Sequence, residues 1–316
     1  MARFARSAAL LAFVLGVAGN AGAEPFAYVP NEGSGTVSVI DTATDDVVAA
    51  IQIGGKPRGI AASPDGKTLF VSEQKGNRLA IVDIASRKLV GQVDLGESPE
   101  GVGMAPDGRW VVAAVEVTNS VQFVDVAKGR TEFSVRTAGK NPEHAVFSPD
   151  GRWLFVSAED ADTVDVVDVG ARTQVGSVKV GERPRGIAFT PDGRKAYVAC
   201  ELADKVYAID VASRTVKAVI KAGKRANGVA MAPSGNRVFV SNGGDANVMA
   251  IDTARDEVLG TVPVGQRPWN MAITPDGSKL YVAAGRSHGV TVVDVARLVR
   301  LKDVKVGELP WGVTIR

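Results

Sequence analysis

Residues 58–95 read RGIAASPDGKTLFVSEQKGNRLAIVDIASRKLVGQVDL. Four short apolar runs alternate here with turn-forming residues, and that alternation decides the fold. RGIAAS (58–63), TLFVSE (68–73), RLAIVDI (78–84) and KLVGQVDL (88–95) have the length and β-branched content of strands, which we call a, b, c and d. SPDG joins the first two: Pro presets φ, Asp accepts from nearby amides and Gly takes the strained end of the turn. Asp83, closing the third run, opens the next turn in the same way. Runs that are apolar on both faces suit a sheet covered on each side.

The unit recurs. PDG or a near match stands at 64–66, 106–108, 149–151, 191–193, 233–235 and 275–277. A Val-Asp or Ile-Asp column places aspartates at 41, 83, 125, 168, 210, 252 and 294, and a Gly-x-x-Pro column places glycines at 54, 96, 139, 181, 223, 265 and 307, with Ala226 replacing the proline once. A period of 42 residues carrying four strands is that of a propeller blade. FAYVPN (26–31) lacks a strand a before it, and WGVTIR (311–316) is a lone strand a. Pairing the two would complete the first blade and hide an open edge. The expected fold is all-β, a seven-bladed propeller occupying 24–316 as one domain. One extra residue lies between Asp125 and Gly139, and a bulge or longer c–d turn in the third blade is expected there.

MARFARSAALLAFVLGVAGNAGA (1–23) has the basic start, apolar run and small-x-small end of an export signal. The expected location is therefore periplasmic or secreted. Loss of Arg3 and Arg6 would leave 35 basic and 35 acidic residues, so a strong field for polyanions is not implied. Cys200 is the only cysteine, which rules out an internal disulfide, and it reads as a small apolar filler. No cofactor motif is evident: no phosphate loop, nucleophile elbow or His-Glu-x-x-His zinc motif occurs, and no metal ligand set is assigned.

The columns YV, VID, Gly-x-x-Pro-x-Gly and SPDG resemble the YVTN family of β-propeller repeat proteins, Tyr28-Val29-Pro30-Asn31 standing where the name motif falls. Seven units behind a signal, the stretch RPWNMAITPDG (267–277) and the ending KVGELPWGVTIR (305–316) are similar to the PQQ-dependent catabolism-associated propellers. That resemblance implies an accessory role beside periplasmic alcohol oxidation, without specifying a reaction.

A site is sought where the repeat varies. In a propeller the d–a and b–c links share one face, and strands a line the central channel. The residue after each Gly-x-x-Pro should then ring one mouth: Arg58, Glu100, Glu143, Arg185, Asn227, Trp269 and Trp311. The next column is glycine in five units, for close approach near the axis, and departs from it at His144 and Asn270. Glu32, Glu116, Glu159 and Glu201, with Glu73 one residue earlier and His288 in the last b–c link, form an expected rim. Each feature has a plain structural alternative. The Glu column could be a solvated rim, Arg58 and Arg185 could simply pair with Glu100 and Glu143, and the two Trp could plug the channel. Glu143-His144 reads either as a base or ligand pair or as a satisfied polar pair. The expectation is a non-enzymatic, monomeric binding protein for a small molecule or periplasmic partner. The alternatives are a lactonase or lyase at the same mouth, and single-strand nucleic-acid binding on the Trp pair, which charge neutrality disfavours.

Overall fold

The computed structural model describes residues 25–316, so the leader expected at 1–23 lies outside the described residues. Seven four-stranded antiparallel sheets follow one another along the chain. In blade 2 the strands are Pro57–Ala62, Thr68–Glu73, Arg78–Asp83 and Lys88–Asp94, paired in that order. Blades 3 to 7 repeat this over 99–136, 142–179, 184–221, 226–263 and 268–305. Strand a begins and ends one residue earlier than the sequence suggests because Ser63 belongs to the turn: its hydroxyl accepts the Thr68 amide at 3.0 Å. All seven c–d turns use the expected aspartate, as Asp83 accepts the Ser86 amide at 2.8 Å and Asp294 that of Arg297 at 2.8 Å.

Seven apolar clusters hold the ring, each shared by two neighbouring blades. Phe155, Val164 and Val166 of blade 4 pack on Ile187, Val198 and Ile209 of blade 5, and Ala27, Val29 and Ile40 of blade 1 on Tyr281, Val290 and Val292 of blade 7. Both faces of strands b and c are therefore buried, which is why those runs do not alternate. Strands d alternate, as the outermost edge should.

Blade 1 is closed by the far end of the chain. Thr314–Ile315 pair antiparallel with Tyr28 and Ala27, Phe26 and Arg316 exchange backbone hydrogen bonds of 2.6 and 2.9 Å, and Trp311 N–H donates to Pro30 O at 2.9 Å. A side-chain latch spans the same seam. Asp45 accepts Lys279 Nζ on both oxygens at 2.9 Å and also the Tyr281 hydroxyl. Lys195 and Tyr197 grip Asp256 identically between blades 5 and 6. Asp45 and Asp256 both sit in left-handed backbone (φ 58°), which Asp tolerates better than most residues.

One expectation is corrected. The c–d ladder shifts register at the same point in every blade, at Ile81/Val82 as at Phe123/Val124, so the third c–d hairpin carries nothing extra. The extra residue falls after Arg130–Arg136, in the link to blade 4. Five residues (137–141) stand there where the preceding link has four (95–98).

Strand a also breaks register with strand b, between Pro57 and Ile60 in blade 2 and at the matching point in blades 3, 5 and 6. The freed residues fall in the two ring columns, Arg58 and Gly59 in blade 2, whereas in blade 4 only Glu143 is freed and His144 pairs with Ser157. A serine on strand b satisfies the loosened backbone: Gly59 N–H donates to Ser72 Oγ (2.8 Å), which donates to Glu100 O of the next blade (2.5 Å). Gly101 and Gly186 lie so close to the next strand a that a Cβ would stand 2.6 and 2.7 Å from the carbonyls of Glu143 and Asn227. The glycine column is thus set by backbone crowding at the axis.

Candidate functional site

Each b–c turn is tied to the link that leads into its own blade. Glu116 N–H donates to Ser98 O (3.1 Å), Glu159 to Asn141 O (3.0 Å) and Glu201 to Arg183 O (2.8 Å). Both loop sets therefore share one face, and their side chains converge on the axis. A cavity of about 280 Å³ opens there, lined by Glu32, Arg58, Glu143, Arg185, Asn227, Arg267, Trp269, Leu309 and Trp311. Six of these nine belong to the first ring column.

The cavity is a bowl. His144 of blade 4 and Trp311 of blade 1 reach from opposite sides of the ring and stack, centroids 5.4 Å apart and planes 17° from parallel. Both imidazole nitrogens are out of solvent and make no well-formed hydrogen bond, although Asn270 approaches the ring. Burial lowers the pKa of His144, opposed by Glu143 and aided by Arg185, so the ring is neutral near pH 7. His144 fills the channel beneath the bowl and does not line it.

The walls are polarised. On the side of blades 5 to 7, four guanidiniums converge on one carboxylate: Glu201 meets Arg267 (2.7 Å), Arg185 (2.9 Å), Arg225 (3.3 Å) and Arg183 (3.5 Å). Blades 1 to 4 contribute Glu32, Glu100, Glu116, Glu143 and Glu159, with Arg58 set between Glu32 (3.2 Å) and Glu100. Arg185 bridges the two sides through Glu143 (2.7 Å) and Glu159. Of the rim column, Glu159 and Glu201 are buried and Glu32 and Glu116 half-buried, and the ring carboxylates Glu100 and Glu143 are buried as well. The Arg58–Glu100 and Arg185–Glu143 pairs do form.

Proton affinities follow this division. Burial pushes Glu100 up to about 8 and Glu159 to about 7, the Glu143 carboxylate adding to both against the nearby arginines. Glu116 is raised by burial and by Glu143 as well. Burial also acts to raise Glu201, but Arg185 and Arg267 overcome it and hold the group at about 2. A carboxyl with a raised folded pKa contributes stability below its unfolded value, near 4.3, and loses it as pH rises through the folded value. Glu201 works the other way, its contribution disappearing as pH falls from about 4 toward 2. The urea midpoint should therefore decline between pH 5 and 8, and Glu100→Gln should flatten that decline. A midpoint that climbs steadily over this range would contradict the assignment.

Two rim candidates lie elsewhere. Glu73 clamps its own turn, accepting the Lys56 and Gly76 amides (2.9 and 3.1 Å) and pairing with Arg78 (3.0 Å). His288 accepts the Leu309 amide at 3.1 Å and lines a separate cavity built from blade 7 and the link that leads into it. Glu100, Glu159 and Glu201 are covered by the arginines they pair with, Glu116 is held by the Ser98 hydroxyl at 2.6 Å, and Asn270 lies beside the His144–Trp311 stack. Three arginines were missed. Arg183, Arg225 and Arg267 occupy the last x of Gly-x-x-Pro in consecutive units, and reading that column would have found them.

Fold and site together define a seven-bladed β-propeller with a blind, charge-lined bowl at one mouth. The chain belongs to the YNCE-like beta-propeller family, matched over residues 17–105 and 102–315. Among solved structures it is similar to Kuenenia stuttgartiensis hydrazine synthase (22% identity, TM-score 0.79, covering 90% of this chain and 99% of that one). It is also similar to a functionally unknown protein from Desulfotomaculum acetoxidans (17%, TM-score 0.80, 92% and 98%) and to a Bacteroides uniformis protein assigned as a 6-phosphogluconolactonase (20%, TM-score 0.76, 93% and 100%). At these identities the likeness is one of fold. A search of curated proteins finds no match.

Proposed function

We propose that this chain is an exported, non-enzymatic binding propeller that takes a small molecule in the mouth bowl, as an accessory to periplasmic quinoprotein alcohol oxidation. The bowl carries the reading. It is a concave site of about 280 Å³, close to the lower end of small-molecule sites at roughly 300 Å³, with two indoles and convergent charged groups on a rigid scaffold. Its chemistry favours binding over catalysis. Glu100 and Glu159, the carboxyls with proton affinities suited to acid–base work, are covered by arginines, and His144 is stacked beneath the floor. The accessory context rests on the export-like leader and on the likeness to PQQ-associated propellers. Trp269 and Trp311 provide the test, once Trp110→Phe and Trp153→Phe silence the indoles away from the mouth. Titration with a small-molecule library should give saturable emission changes that Trp311→Phe abolishes. A library with no such compound would overturn the binding role, and growth on alcohols unaffected by deletion would remove the accessory context.

A further inference from the structure

The two walls of the bowl carry opposite excess charge, and this constrains what can enter. Arg185 meets its carboxylates through Nε and Nη1 and Arg267 meets Glu201 through Nη2, and both guanidiniums line the cavity. On the facing wall Glu143 has one oxygen on Arg185 and the other free of protein donors. Trp269 and Trp311 supply an apolar flank between the walls.

Among the residues that line the bowl, Arg58 already faces Glu32, Arg185 faces Glu143, and Arg267 shares Glu201 behind the wall. A ligand with net charge would leave an uncompensated charge in a poorly solvated space, which is costly. A molecule with both charges could oppose each wall with its complement and add no net charge. We propose, building on the binding role above, that the bowl selects a small zwitterion, its anionic group against Arg185 and Arg267, its cationic group against Glu143 and Glu32, and its apolar body on Trp269 and Trp311. Charge-assisted hydrogen bonds of this kind discriminate strongly because their loss strands a buried partner.

Three probes of nearly equal size separate the contributions. L-Phenylalanine carries both charges, 3-phenylpropionate lacks the ammonium and phenethylamine lacks the carboxylate. Calorimetric titration of the protein lacking residues 1–23 should show phenylalanine binding roughly tenfold or more tighter than either analogue, the loss expected when one charged hydrogen bond is removed. Glu143→Gln should weaken phenylalanine and spare 3-phenylpropionate, while Arg267→Met should weaken phenylalanine and spare phenethylamine. Circular dichroism and thermal melting of both variants establish that they fold. If a singly charged analogue binds as tightly as phenylalanine, and Trp311→Phe abolishes that binding, the bowl remains a binding site and the zwitterion requirement is overturned. If none of the three binds at millimolar concentration, the zwitterion proposal is overturned, while the library titration above decides the binding role separately.

Discussion

Replacing Arg185 with Met should destabilise the protein by about 3–5 kcal/mol at pH 7, the cost of breaking a buried ion pair by removing one partner. Arg185 is the side chain on which the mouth depends. Glu201 would keep Arg267, Arg225 and Arg183, and Glu159 would keep Arg183 at 3.1 Å. Among the described residues Glu143 pairs with no other cation. The penalty is therefore concentrated on one buried carboxylate, and Arg185→Met with Glu143→Gln should recover a good part of it. Urea denaturation of the two single variants and the double variant gives the coupling as a double-mutant cycle. Purely additive losses would show that Glu143 is not the stranded group.

Asp45→Ala should cost about 2–4 kcal/mol. It removes the acceptor for Lys279 and for the Tyr281 hydroxyl, a phenol whose pKa is raised by burial and by Asp45 and which therefore remains a donor. Asp45→Asn keeps a residue tolerant of left-handed backbone and one acceptor oxygen, so its loss should be smaller. Asp256→Ala, which removes the matching latch between blades 5 and 6, provides an internal comparison. The two latches share no partners, so the double alanine variant should show the sum of the single losses. Equal stability of Asp45→Ala and wild type in urea would mean that strand pairing alone holds the seam.

The scaffold was legible because scaffold positions repeat. The PDG-type turn performs one mechanical task six times, the strand-c aspartate seven times and the glycine of strand a five times, and one sequence exposes them as columns. The extra residue was misplaced because Asp125 and Gly139 bracket strand d and the following link together, and spacing cannot divide that interval. The bowl was legible in part. Its ring column followed from chain geometry, but burial did not: nothing in the spelling of Glu159 or Glu201 says that arginines cover them. Glu73 shows the limit most plainly. One residue of register separates it from the Glu116 column, and in a strand that sends the side chain to the other face, onto its own turn.

The closing seam also sets an order of events. The inner edge of Phe26–Asn31 is made near the start of synthesis, and its partner Thr314–Ile315 near the end. At about 5–20 residues per second that edge waits roughly 15–60 s for the strand that will cover it. Throughout that interval it presents unpaired backbone to every other nascent strand, the condition under which sheets add foreign partners. Blade 1 is thus the first to be started and the last to be finished. The traffic of the unfinished chain, including what shields that edge, bears on the yield of closed rings as directly as the stability of the ring itself.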